Sequence, residues 1–444
     1  MKTVLGQIIS LTKAIRLRPK QPGERGWVQF IAGKKSPFGL PGGVGLTWWA
    51  DSDIHATLEG VATLIVTGRP EFKDCDLVTV ADVVLHALQE ICLDNTVFVA
   101  DDVFAMRHNT LFDCHRLNVQ EFATALHAAM EATLRRRITK HCTIYVLPRF
   151  ITQSFDLDNG SLHVVAKDDS AAWAKLVGKG YVFDGWSPSQ PKQNGRDDAV
   201  FTPKGRADCV LAAEDHGTQK GVHFNSIMRF RQLIALLYAV VSDRSQYPIQ
   251  KSIADPPEFC IQFTHRNSSE RALIRQDCQP LVPVYMTDVV IEANDQARVM
   301  DWYSAVASTG DEARARAEKG AHFFNRGMNS DDIEAFISFF ISLDAIFGER
   351  GSVEASILRG VSELGLAERD AEKTRWLFEL RSELVHGGSR YIAEWAKYVR
   401  YRNHFHSEPA DDVQRIARTA VLRAPHILSN GGNSRHRLEP VGDA

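Results

Sequence analysis

The sequence predicts an α+β N-terminal region followed by an all-α helical bundle. Three observations carry this. Short β-branched runs recur through the first part of the chain and stop near Asp311. Between them lie stretches with apolar residues at helical spacing. Beyond Asp311 only the helical period remains. At 444 residues the chain is too long for one ordinary domain. A boundary is therefore expected near residues 295–312. It would part an α+β region of residues 1–300 from a helical domain of residues 312–428, with residues 429–444 a loose tail.

Taken in order, "ATLIVTG" (62–68), "TVFVA" (96–100), "CTIYVLP" (142–148) and "LHVVA" (162–166) read as strands. "VADVVLHALQEIC", between the first and second of these, and "NVQEFATALHAAMEATLRRR", between the second and third, read as helices. "FNSIMRFRQLIALLYAVVSD" (224–243) reads as a long, largely buried helix, and "FCIQFTH" and "VPVYMTDVVIE" return to strand character. Two stretches, 36–45 and 184–198, are rich in Gly, Pro, Ser and Asn and read as exposed loops. Helices are then expected over 311–327, 331–347, 352–364, 370–386 and 411–428, with a shorter one near 391–402.

Composition excludes several function classes. The formal net charge is −3, so a nucleic-acid contact would need a local basic patch. Seven cysteines without CxxC spacing argue for reduced thiols and against a zinc ribbon. "DCHR" and "KHC" bring Cys114, His115, His141 and Cys142 in adjacent pairs, and neighbours in sequence rarely point at one ion, so no metal site is expected. "LPGGVG" lacks the Gly-Lys-Ser/Thr ending of a phosphate loop, and no cofactor is expected. "RRRITKH" (135–141) reads as a solvated helix end. No run of about eighteen apolar residues and no signal-peptide core occur, so the expectation is a cytoplasmic protein without a membrane span.

The stretch "WLFELRSELVHGG" carries the most chemistry. On a helical wheel of about 100° per residue, Leu377, Leu380 and Leu384 share a core stripe. Glu372, Arg375, Glu379 and Glu383 share a polar face. A third face holds Phe378, Arg381, Ser382, Val385 and His386. Arg can clamp a phosphate with a planar fork of donors, and His titrates near neutral pH. Cations near a helix C-terminus also simply favour the macrodipole. Upstream, the stripe Ile333, Phe336/Ile337, Phe340 and Phe347 includes Asp344, a carboxylate that needs a partner; Arg381 or His386 could supply it, as could an ordinary ion pair. Downstream, "KYVRYRNHFH" interleaves Lys397, Arg400 and Arg402 with Tyr398, Tyr401 and Phe405, which suits single-stranded RNA or an ordinary amphipathic helix.

Together "FISFFISLDAIFG", a spacer of about thirty residues and "LFELRSELVHGG" resemble the HEPN superfamily, most closely its Apea-like branch, over roughly residues 312–428. The resemblance implies an all-α bundle that dimerises so that two Arg-x4-His motifs face each other, and a metal-independent endoribonuclease that needs no cofactor. It gives His386 the proton of the ribose 2′-hydroxyl or of the leaving 5′-oxygen, Arg381 the charge on the phosphorane, and Ser382 an orienting role. Asp344 would stand at the acidic position of the first helix, where the longer Glu is usual. RNA would lie along Lys397, Arg400, Tyr401 and Arg402. The wheel places Phe378 and Val385 at the homodimer interface. Some members of the superfamily bind RNA, nucleotide or protein without cutting, and that is the alternative. Residues 1–300 resemble no family; the expectation is a sensor or regulatory region for an unknown activating ligand or protein, in a defence or toxin effector. An enzyme in that region, with the helical domain as dimeriser, is a third reading without a catalytic constellation to support it.

Overall fold

The computed structural model describes residues 3–18, 21–24, 27–32, 46–51, 54–92, 95–183, 207–244, 257–268, 273–283, 285–385, 391 and 394–435. The chain divides into two compact units, one of residues 1–141 with 215–225 and one of residues 142–214 with 226–444.

The first unit holds α1 (Val4–Ala14), the antiparallel pair β1 (Trp27–Ala32) and β2 (Leu46–Asp51), α2 (Ile54–Gly68), α3 (Leu77–Cys92), α4 (Ala100–Phe104) and α5 (Val119–Arg137). Thr3 and Asn118 start α1 and α5 by accepting the Gly6 and Glu121 amides, which would otherwise lack partners. The core closes around Leu11, Val61, Phe72, Val84, Leu88, Phe98 and Phe122. Phe98 meets Phe122 edge to face at 5.4 Å.

Two strand expectations fail here. "ATLIVTG" lies in α2, because Ile54, Leu58, Val61, Ala62 and Ile65 make one buried helical stripe that begins upstream of that window. Tertiary burial outweighs local β-propensity. "TVFVA" gives only a bridge between Phe98 and His115 before α4 begins at Ala100.

The second unit is built on a six-stranded sheet. Its strands are β3 (Thr139–Leu147, entering from the first unit), β5 (Phe155–Leu157), β6 (Leu162–Ala166), β7 (Cys209–Gly217), β8 (Phe259–Thr264) and β9 (Leu273–Asp277), in the order β5-β6-β7-β3-β8-β9. A short parallel pair joins β4 (Phe150–Ile151) to β10 (Val289–Val290), which is all the strand that "VPVYMTDVVIE" yields. The helices are α6 (Ser170–Gly178), α7 (Gln219–Arg244), α8 (Ala293–Ala307), α9 (Asp311–Met328), α10 (Asp332–Phe347), α11 (Val353–Glu363), α12 (Glu368–Val385), α13 (Ala396–Phe405) and α14 (Pro409–Arg435).

Strand alternation explains why this sheet is covered twice. Tyr145 and Leu147 of β3 enter a large core with α7 and α8–α14, while Cys142 and Ile144 enter a smaller one with Leu176 and Trp173 of α6. The large core runs without a break from Tyr145 through Phe230, Trp302, Phe324 and Phe336 to Ala424. The expected boundary near 295–312 therefore falls inside this unit. Trp302 of α8 also donates its Nε1–H to the Val421 carbonyl of α14 at 2.8 Å. Among the described residues α7 alone is long and apolar enough to cross a membrane, and its residues Leu233 to Val241 are buried in this core.

The C-terminal helical region follows its sequence closely. α9 and α10 approach so tightly that a Cβ on Gly327 would lie 2.6 Å from the Phe339 ring. Leu377 and Leu380 of α12 are buried, as the wheel requires, while the Leu384 side chain lies outside the described residues.

Candidate functional site

α12 ends at Val385; the Val385 side chain and the whole of His386 lie outside the described residues. One turn earlier Arg381 is half-buried, its guanidinium carbon 5.5 Å from the ring centroid of Phe378 on the same helix. Among the described residues it makes no ion pair. Ser382 is exposed and donates its hydroxyl back to the Phe378 carbonyl at 3.2 Å. This back-bonding fixes the rotamer and leaves the oxygen able to accept.

The other expected partners of Arg381 are arranged differently. Asp344 is half-buried on α10 and beside Gly348, whose amide donates to the Asp344 carbonyl at 2.7 Å. No ion pair joins it to Arg381, one of the two partners considered for it; the other, His386, lies outside the described residues. Phe378 packs on its own unit, edge to face with Phe340 at 6.0 Å. The wheel showed a second apolar face, and α10 covers part of it.

Next to α12, α13 presents its cations outward. Arg400 and Arg402 are exposed and Lys397 is half-buried. Arg402 pairs with Glu408 at 2.9 Å, and Arg400 lies 5.9 Å from the Trp376 ring centroid. His404 stacks on Trp376 with centroids 5.0 Å apart and planes 7° from parallel. The reading of Tyr401 as a base-stacking residue is corrected: it is 1% exposed and its hydroxyl donates to Asp412 at 2.9 Å. Alternation of aromatic and basic letters does not tell which aromatics face inward. The exposed ring is that of His404, stacked on the half-buried Trp376 of another helix.

Beneath this surface a polar network ties three helices together. Asp412 of α14 accepts from Lys373 of α12 at 2.8 and 2.9 Å, from Tyr401 of α13, and from Ser407 at 2.5 Å. Arg415 bridges Asp412 and Asp370. Burial pushes the Asp412 carboxyl up, but the bonds from Lys373, Ser407 and Tyr401 outweigh it and hold it below its ordinary range. The network fixes the helices that carry Arg381 and Arg400.

A second constellation, missed from sequence, sits at the β5 edge of the sheet. His163 of β6 lies between two carboxylates, Nδ1 at 2.6 Å from Asp156 and Nε2 at 2.8 Å from Glu214. The Lys179 ammonium binds Glu214, the Gly160 carbonyl at 2.9 Å and lies 3.2 Å from His163 Nε2. The Tyr181 hydroxyl donates to the other Glu214 oxygen at 2.7 Å, and Lys175 pairs with Asp156 at 2.6 Å. Burial pushes the Glu214 carboxyl up; bonds from His163, Lys179 and Tyr181 reverse this and hold it at about 2. A cavity of about 170 Å³ opens beside Asp156, His163, Lys175 and Lys179. Because each donor here has its carboxylate, the cluster works as a clasp between β5, β6, β7 and α6. Its members lie up to 58 residues apart in sequence, from Asp156 to Glu214, and no local spacing reveals them.

The remaining sequence candidates resolve into structure. Arg135 pairs with Glu71 and Glu131, and Arg136 with Glu90, so two of the three arginines ending α5 are answered by carboxylates. His115 bonds its own turn through the Phe112 carbonyl at 2.6 Å, and among the described residues no group of His, Cys, Asp and Glu could hold a metal ion. No protein-family model, no curated protein and no solved structure matches this chain.

Proposed function

We propose that the chain is a metal-independent endoribonuclease of the HEPN type, acting as a homodimer and held off until a ligand or partner engages the rest of the chain. The observation that supports this best is Arg381: a guanidinium near the end of a helix, beside an exposed serine, with no carboxylate paired to it among the described residues. A structural arginine near a core normally has such a partner, since an unpaired charge there is costly. An arginine kept for phosphate does not. Trp376 stacked on His404, with Arg400 alongside, adds a surface on which a single strand can lie.

In this reading His386 takes or returns a proton at the ribose 2′-oxygen and the leaving 5′-oxygen. Arg381 stabilises the charge that builds on the pentacoordinate phosphorus, and Ser382, whose lone pairs can accept an N–H, orients the Arg381 guanidinium. Phe378 and Val385 border the dimer contact, with Phe378 contributing only the part that α10 leaves uncovered. The test is cleavage of total RNA by the purified protein with and without EDTA, beside Arg381→Ala and His386→Ala. Retained cleavage with EDTA, 2′,3′-cyclic phosphate ends and loss in both variants support the reading. Cleavage that needs Mg²⁺, or survives both variants, ends it. A non-catalytic RNA- or protein-binding module is the second reading. It is favoured by Asp344, which stands apart from Arg381, and predicts binding without cutting.

A further inference from the structure

Two arginines with no carboxylate paired to them among the described residues lie where α9 packs on α7. His322, Asn325, Arg326 and Asn329 recur at i, i+3, i+4 and i+7, so they form one polar stripe on α9. Arg231 of α7 meets that stripe, its guanidinium donating to Asn325 Oδ1 at 3.0 Å. Asn325 and Asn329 both donate to the Leu281 carbonyl, at 2.8 and 2.9 Å, which anchors the segment after β9 against the same place. Arg231 is only 7% exposed, while Arg326 is exposed and marks the way in.

Neither arginine makes an ion pair among the described residues. The charged or titratable groups that act most on Arg231 are Arg326, which repels it, and Cys278, Tyr145 and Cys260; His322 stands beside it too. Burial holds Tyr145 and Cys260 neutral, and the Tyr145 hydroxyl is already donated to the Pro257 carbonyl. Burial, with Arg231 and Arg326 beside it, pushes His322 down to about 4, and its Nδ1 is buried without a partner. The next carboxylate on α9, Glu318, faces Arg314, Asp158 and Arg229 instead. A buried guanidinium whose only acceptor is an amide oxygen is costly, and here a second guanidinium adds repulsion.

We propose that Arg231, Arg326, Asn325 and His322 form a binding site for the phosphate group of a small phosphorylated molecule. Two planar guanidiniums without competing acids suit a doubly charged tetrahedral oxyanion, and a neutral imidazole can present an N–H to a third oxygen. The site lies outside the Arg381 region and does not rest on RNA cleavage. It would serve as the place where a small molecule reports to the helical region through α9.

The test is a thermal melt and a calorimetric titration of the full-length protein. The probes are inorganic phosphate, a nucleoside monophosphate, and sodium chloride at matched ionic strength. Phosphate or the nucleotide should raise the melting temperature where chloride does not. Tighter binding of the nucleotide would assign the site to an organic phosphate, and equal binding to inorganic phosphate. Arg326→Gln, at an exposed position, should keep the unliganded melting temperature and weaken binding roughly tenfold or more. Arg231→Met should melt higher without ligand and no longer respond. Equal effects of chloride and phosphate, or an Arg326→Gln protein that binds like the wild type, would overturn the assignment. Arg326→Gln decides the matter even if Arg231→Met does not fold.

Discussion

Replacing Glu214 by Gln tests whether the clasp at the sheet edge holds the second unit together. Glu214 is 17% exposed at its side chain and accepts from His163, Lys179 and Tyr181. Its carboxyl is held at about 2 in the folded chain against an ordinary 4.5. A depressed carboxylate contributes stability that is complete above the ordinary value and lost as pH falls through the folded one. The drop corresponds to about 3 kcal/mol, good to its order of magnitude. Glu214→Gln keeps the shape and removes the charge. It should therefore lose about 3 kcal/mol at pH 7, where the wild type draws the full benefit. As pH falls from about 4.5 towards 2, the wild type should lose that advantage and the two proteins should converge. The assay is urea unfolding followed by circular dichroism at pH values from 7 down to 3. Tyr181→Phe is the milder control and should cost about 1 kcal/mol, one hydrogen bond. Parallel stability curves for wild type and Glu214→Gln across that range would refute the reasoning. The cluster would then be a solvated surface arrangement.

Four further outcomes are expected. Gly327→Ala puts a methyl 2.6 Å from the buried Phe339 ring and should cost about 1–3 kcal/mol in a thermal melt; an unchanged melt would mean α9 and α10 are looser than described. Asp412→Asn leaves Lys373 and Arg415 facing each other without their shared acid and should cost about 3–5 kcal/mol at neutral pH, an excess that shrinks on acidification because the wild-type carboxyl is depressed. Arg381→Ala and His386→Ala should each lower RNA cleavage on the order of 10²-fold, with the Arg381 variant melting like the wild type because no ion pair among the described residues is lost. A fragment beginning near residue 296 should aggregate, since Trp302, Phe324 and Phe336 share one core with Tyr145 and Phe230; a soluble, cooperatively melting fragment would contradict that shared core.

That last outcome marks where sequence reasoning stopped short, and why. The end of strand signals near Asp311 is real: α9 begins there and only helices follow among the described residues. A change in secondary structure was read as a change of domain, yet the two are independent. α7 is apolar almost all round because it is shared, with the sheet on one side and α8–α14 on the other. Its composition was visible in "LIALLYAVV", but composition cannot say which later segments cover it. The same limit separates Arg381 from Arg231. Arg381 stood out because its neighbours in sequence are its neighbours on the helix. Arg231 sits in a greasy stretch, and the stripe His322-Asn325-Arg326-Asn329 lies some ninety residues later. Each looked ordinary alone, since an arginine in a helix is expected to find a carboxylate. In the packing of α7 on α9, Arg231 meets the Asn325 amide, and neither it nor Arg326 meets a carboxylate among the described residues. Local period reveals which face a residue is on. Whether a charge on that face is answered depends on the partner element, and that is a property of the fold.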